Sequence, residues 1–207
     1  MAYVLGFFAA DGCMIKNNRG AHFIEFHITD LDILEKIKKL LEAENKISTR
    51  KTSAELANAY RLQIGSKEMF KDLLSLEFKP RKSASVQFPK IPNKYLKDFV
   101  RGYFDGDGNV YANEYQRKGK PSKSLTLLAG FTCGSKNFLE KLKEELKQVA
   151  NLSGGTLHEI GGYFRLYYSV KDSCKLYKFM YNTKSDLFLE RKKKVFEGYF
   201  KKQNILF

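Results

Sequence analysis

Two carboxylates stand out in this chain by their setting. Asp11 and Asp107 each occupy the eighth place of a nine-residue block, Val4-Leu-Gly-Phe-Phe-Ala-Ala-Asp-Gly12 and Val100-Arg-Gly-Tyr-Phe-Asp-Gly-Asp-Gly108. Gly6 matches Gly102, Phe8 matches Phe104, and Gly12 matches Gly108. Read as helices, the blocks put Gly6, Ala9 and Ala10 on one face, and Gly102, Asp105 and Gly106 likewise. Small residues at that spacing let two helix backbones come close, so Gly6 and Gly102 are the expected helix interface. Packing the two helices side by side brings Asp11 and Asp107 to the same end, just before a Gly that favours a helix stop. Neighbouring carboxylates repel unless a cation lies between them. Oxygen donors suit Mg²⁺, and the helix C-terminal dipoles deepen the negative potential. Two carboxylates and a divalent ion are the equipment of phosphodiester hydrolysis. One Asp-Gly pair alone is an ordinary turn; the repetition carries the argument. A calcium loop starting at Asp105 would need Gly and Glu where Val110 and Gln116 stand.

The elements that must hold these blocks are also repeated. A strand-like run follows each (21–29 and 124–133), then an amphipathic helix (32–43 and 137–150) with apolar residues at helical spacing. Two further strands (46–52 and 59–65; 155–160 and 163–170) and a second helix (67–76; 172–181) complete each copy. The class is α+β, with two pseudo-symmetric αββαββα halves. Pro89 and Pro92 mark a linker. The expected division is a first half over 1–88, a linker over 89–95 and a second half over 96–207. The stretch 113–123 is expected to be a basic hairpin loop. The chain opens almost on the first block, at Met1-Ala2, which leaves open a trimmed segment before it.

Composition names the partner class. The chain has 37 Lys and Arg against 23 Asp and Glu, a formal charge of +14. The excess is shared, with 17 basic and 12 acidic side chains in residues 1–100 and 20 and 11 in the rest. That balance speaks of a polyanion. Membrane fits poorly: the apolar stretch from Tyr3 to Ala10 is far short of a span, and no basic segment precedes it as in a secretion signal. Cys13, Cys133 and Cys174 are too few and too scattered for a zinc motif with His22, His27 or His158. They are expected as unpaired thiols in an intracellular, reducing compartment.

The two blocks resemble the LAGLIDADG motif of homing endonucleases, in the single-chain, two-motif form. The stretch from Lys82-Ser through Phe88-Pro to Phe99–Gly108 is similar to that family's central segment. The resemblance implies motif helices at the interface of two halves and a β-sheet saddle over double-stranded DNA. It implies a monomer that hydrolyses both strands of a long, non-palindromic site, of about 20 base pairs if each half covers one helical turn, leaving short 3′ overhangs. Asp11 and Asp107 would bind Mg²⁺, with Mn²⁺ or Ca²⁺ able to take the same places, and Ala10 and Gly106 would lend backbone carbonyls. Lys82 and Lys192 sit where a basic residue assists the scissile phosphate, by stabilising charge or activating water. Asp30 and Ser135 sit where a polar residue stands near the metal waters. Ala9 departs from Asp105 at a place that is not the metal ligand.

Sheet residues would read bases. In the first half the candidates are Lys16, Asn18, Arg19, Glu25, His27, Arg50, Arg61 and Gln63; in the second, Asn113, Arg117, Lys123, Thr132, His158 and Arg165. Arg suits guanine, Gln and Asn suit adenine, and loop Lys suits phosphate. Two rivals share the fold. An RNA maturase would bind RNA without needing both Asp11 and Asp107. A non-catalytic DNA-binding protein would be expected to carry a helix-turn-helix, and none is read before Phe207.

Overall fold

Each block folds as a helix that runs without a loop into a strand. The structure is a computed structural model that describes residues 1–50, 58–80, 86–116, 119 and 123–205, with only the backbone of Arg50. The first half is α1 (Ala2–Asp11), β1 (Gly12–Lys16), β2 (His22–Ile28), α2 (Leu31–Leu40), β3 (Ile47–Arg50), β4 (Ala59–Gly65) and α3 (Lys67–Ser75). The second is α4 (Asn93–Asp107), β5 (Gly108–Gln116), β6 (Lys123–Cys133), α5 (Lys136–Val149), β7 (Thr156–Ile160), β8 (Tyr163–Tyr168), α6 (Val170–Tyr181) and α7 (Glu190–Lys202). Each half carries a four-stranded antiparallel sheet of the same order, β1-β2-β4-β3 and β5-β6-β8-β7.

α1 is apolar nearly all round, the pattern of a helix covered on every side, and Tyr3, Val4, Phe7, Phe8 and Ala9 are buried. It lies parallel to α4. A Cβ on Gly6 would overlap the Phe99 carbonyl oxygen, and one on Gly102 would overlap that of Tyr3. Glycine is therefore required at both places by backbone-to-backbone contact. Gly102→Ala is expected to cost about 1–3 kcal/mol, the range for overpacking. Urea unfolding checks it, and an unchanged midpoint would mean the helices do not touch there.

Strand alternation sorts the sheet residues. Met14, Ile24, Phe26, Ile28, Leu62 and Ile64 face the helices and are buried. Cys13, Glu25, His27, Gln63 and Arg61 share the opposite face by register. In the second half Leu127, Ala129, Phe131, Cys133, Leu166 and Tyr168 form the core. Asn109, Thr132, Arg165 and His158 lie on the open face.

Three details differ from expectation. Gly12 and Gly108 close their helices with extended backbone, φ −92° and −86°, not the left-handed turn. What excludes a side chain is the ring of Phe8 or Phe104, which a Cβ would strike. Residues 113–116 and Lys123 continue β5 and β6, so the ribbon is longer and its loop shorter. α7 was not foreseen, although Phe196, Tyr199 and Phe200, at helical spacing after the basic run Arg191–Lys194, signal it.

Candidate active site and nucleic-acid interface

Parallel packing brings the two helix C-termini together. Tyr3 meets Gly102, Gly6 meets Phe99 and Tyr103, and the last turn of α1 meets Gly106. A Cβ on Gly106 would lie 3.1 Å from Asp11 Oδ2 and would overlap the Ala10 side chain. Asp11 and Asp107 are both half-buried, and their charges act on the same two buried groups. Burial holds the Tyr103 phenol well above its usual range, and Cys133, Asp107 and Asp11 each add to the rise. Both aspartates also favour the charged form of Lys192. Two carboxylates and the carbonyls of two helix ends make a donor set of hard oxygens, which fits Mg²⁺ or a similar cation.

Lys192 is brought beside this end, but not as an exposed side chain. Its Nζ donates to the carbonyl oxygens of Phe104 (2.7 Å), Asp105 (2.7 Å), Gly106 (3.2 Å) and Gly108 (2.6 Å). Three of those belong to the last turn of α4 and one to the first residue of β5; the Phe104 carbonyl also accepts from the Gly108 N–H, and the ammonium caps the end of the helix. Burial pushes the ammonium down to about 8, against the pull of Asp105, Asp11 and Asp107. The carbonyl of Gly106, expected as a metal ligand, thus already accepts from Lys192. Lys82 lies outside the described residues.

Asp105 explains the departure between the motifs. Its Oδ2 accepts from Tyr3 Oη at 2.7 Å and from the Leu189 backbone N–H at 3.0 Å. Burial raises the carboxyl to about 6 despite those bonds and the charge of Lys192. Arg101, also buried, donates to the carbonyls of Leu187 and Met180, each at 2.8 Å, and to Asp98 at 2.7 Å. α4 therefore clamps segment 180–192 by Arg101 and Asp105. α1 has Leu5 and Ala9 at the corresponding places.

Asp30 and Ser135 are the residues that precede α2 and α5. Ser135 Oγ accepts from Phe138 N. Asp30 takes a two-pronged hydrogen bond from Arg191 at 2.8–3.1 Å, which ties the first half to α7.

The expected readers divide three ways. His27, Arg61 and Gln63 stand on the open face of the first sheet, and Thr132, Arg165, His158 and Asn113 on that of the second. Glu25 shares that face but is buried, 4% exposed. It accepts from His27 Nε2 at 2.9 Å and from Gln63 Nε2, with Arg61 Nη1 at 3.6 Å, so it holds those three side chains in place. Lys16 and Lys123 alternate onto the helix-packed faces and are exposed at strand ends. Asn18 and Arg19 sit exposed in the turn after β1, shaped by the Asn17 side chain, which accepts from the Arg19 and Ala21 N–H groups. Arg117 and the Arg50 side chain lie outside the described residues. Sequence reasoning missed Tyr111, exposed on the open face, and Tyr167, whose hydroxyl accepts from Asn109 at 3.2 Å. Their strand parity was the available signal.

Comparison with known proteins agrees with this fold. Residues 1–76 match the LAGLIDADG-like domain family. A solved structure of the I-SmaMI LAGLIDADG homing endonuclease bound to cleaved DNA is 15% identical, with a TM-score of 0.65 over 98% of this chain and 90% of that one. The I-LtrWI LAGLIDADG homing endonuclease bound to target DNA is 14% identical, with a TM-score of 0.63 over the same shares. An uncharacterized protein of Methanocaldococcus jannaschii is 22% identical over 189 residues, 84% of this chain. The chain spans 63% of that relative's length. The chain thus begins with a LAGLIDADG-like domain and, as a whole, has the two-half fold of LAGLIDADG homing endonucleases.

Proposed function

We propose that this chain is a site-specific DNA endonuclease that hydrolyses both strands of a long, non-palindromic duplex with divalent metal ions. One observation carries it: the backbone contacts at Gly6 and Gly102 bring Asp11 and Asp107 to one end of a parallel helix pair. Each of those helices opens directly into a sheet with an uncovered polar face. The fold neighbours support the reading, since they include endonucleases bound to target DNA, and one was solved with its uncleaved target in the presence of calcium ions. The +14 charge supplies the sequence-independent attraction to phosphate.

Asp11 and Asp107 hold the metal ions, with the backbone of Ala10 and Gly106 beside them. Mg²⁺ is the physiological ion, and when bound it polarises the phosphoryl oxygens and makes water acidic. Lys192 assists from behind the motif by fixing the end of α4 and adding positive charge to it, and Lys82 assists in the other half. The protein acts as a monomer, because both carboxylates come from one chain. The halves are those divided at residues 89–95.

His27, Arg61, Gln63, Thr132, His158 and Arg165 read base edges from the open faces, while Lys16, Arg19 and Lys123 meet phosphate at strand ends and turns. Arg165→Gln is expected to weaken binding of the preferred site by about 1–3 kcal/mol and to relax preference at one base position. Competition binding against single-base variants checks this. A uniform loss across all variants would make Arg165 a phosphate contact.

The deciding experiment is cleavage of a randomised duplex library with Mg²⁺. Enrichment of double-strand cuts at one long motif is expected. No cutting under Mg²⁺ or Mn²⁺, with tight RNA binding in its place, would overturn the endonuclease and leave an RNA-binding maturase.

A further inference from the structure

We infer that Cys13, Glu25 and His27 form a binding site for a zinc-type divalent transition ion on the open face of the first sheet. The sulfur of Cys13, a carboxylate oxygen of Glu25 and a ring nitrogen of His27 all lie within 4.8 Å of one another. One oxygen, Glu25 Oε2, faces both of the others, 3.7 Å from Cys13 Sγ and 2.9 Å from His27 Nε2. Ligands of tetrahedral zinc, at about 2.0–2.3 Å from the ion, stand on the order of 3.3–3.7 Å apart. The donors are therefore within a small side-chain rotation of coordinating distance.

The backbone fixes this arrangement. Cys13 is directly opposite Glu25 in the β1–β2 pair, and His27 follows Glu25 by two residues on the same face. The other carboxylate oxygen, Oε1, is already held by Gln63 Nε2, with Arg61 Nη1 at 3.6 Å. A bonded outer oxygen is what orients a carboxylate ligand in metal sites. A thiolate, an imidazole and one carboxylate suit zinc and its neighbours, not Mg²⁺, so the site is chemically separate from the motif carboxylates. Three protein ligands leave a fourth position for solvent. Binding releases the Cys13 proton to water.

The second half shows that the fold does not demand these residues. By register, Asn109, Gly130 and Thr132 occupy the places of Cys13, Glu25 and His27, and Tyr167 that of Gln63. None of the four is a soft metal ligand. Among the described residues the donor set is found on the first sheet, and it stands whether or not the chain cuts DNA.

Cobalt(II) is the probe, titrated into the reduced chain with excess Mg²⁺ to fill the oxygen-donor sites. One equivalent is expected to give a sulfur-to-cobalt charge-transfer band in the near ultraviolet, removed by one equivalent of Zn²⁺. Cys13→Ser should abolish the band. His27→Gln, at a side chain 41% exposed and outside the apolar core, should raise the Zn²⁺ dissociation constant about tenfold or more. Gln63→Ala should raise it about tenfold through the outer oxygen. No band from the wild-type chain would overturn the site. So would a band that survives Cys13→Ser and therefore comes from Cys133 or Cys174, or Zn²⁺ affinity unchanged by His27→Gln.

Discussion

Asp11→Asn and Asp107→Asn are expected each to lower Mg²⁺-dependent double-strand cleavage by at least about 10²–10³-fold, the scale on which removing one preorganised group at a developing charge is felt. The substitution keeps the shape and removes the charge, so DNA binding without cleavage should survive. Stability supplies an independent arm. The carboxylates converge on one helix-pair end and repel when no cation is present, which offsets the support each gives to the Lys192 ammonium, so both variants should melt close to the wild-type chain in chelator. Added Mg²⁺ should raise the melting temperature of the wild-type chain, by mass action on the folded state, and should raise that of the variants less. Undiminished cleavage by either variant would remove that aspartate from the chemistry. A variant that melts far below wild type in chelator would show its carboxylate to be structural.

The second large effect concerns stability. Lys192→Met should cost about 3–5 kcal/mol, the range for deleting one member of a buried charged set. It strips the cap from four carbonyls and leaves Asp105 buried with less compensation. The pH profile identifies the cause. The folded ammonium is pushed down to about 8, against about 10.4 in the unfolded chain. Between those values the unfolded chain holds the extra proton, so the contribution of Lys192 to stability rises with pH. Asp105 behaves differently. Its folded carboxyl is raised from 3.8 to about 6, so its contribution falls as pH rises through that window. Between about 6 and 8 both groups are charged and buried. Denaturant unfolding from pH 7 to 10 should show the wild-type rise above 8 and its loss in Lys192→Met. A cost below about 1 kcal/mol would make the ammonium a bystander.

The halves and the motif helices were legible because they rest on local rules. Gly6 and Gly102 announce close packing by being small at matched places, and the strands alternate as half-buried strands must. β4 runs from Ala59 to Gly65, as its apolar pattern predicts. The placement of Asp11 and Asp107 at one end was legible once the repeated helices were taken to pack parallel, which the contacts of Gly6 and Gly106 show.

What was hidden depends on pairing across the chain. Glu25 reads as a groove residue from its parity, but burial by Gln63, His27 and Arg61 is fixed only when β4 lies beside β2. Lys16 and Lys123 look like readers by charge, and one step of alternation turns each to the other face. Lys192 looked like a surface base in a basic run. Its burial follows from Arg101 and Asp105 holding the segment before α7 against α4, a contact 84 residues apart in sequence for Asp105 and Leu189.

The crossing of α1 and α4 is made of backbone against backbone, at Gly6 and Gly102, with no side chain as a spacer. The separation of the two motif ends is thus a ruler set by the peptide chain itself. On the proposed function, side chains on either sheet can be exchanged to retarget the protein while the offset between the two cuts stays the same. A variant with an altered overhang would have to be sought along this helix pair and not among the residues that face the groove.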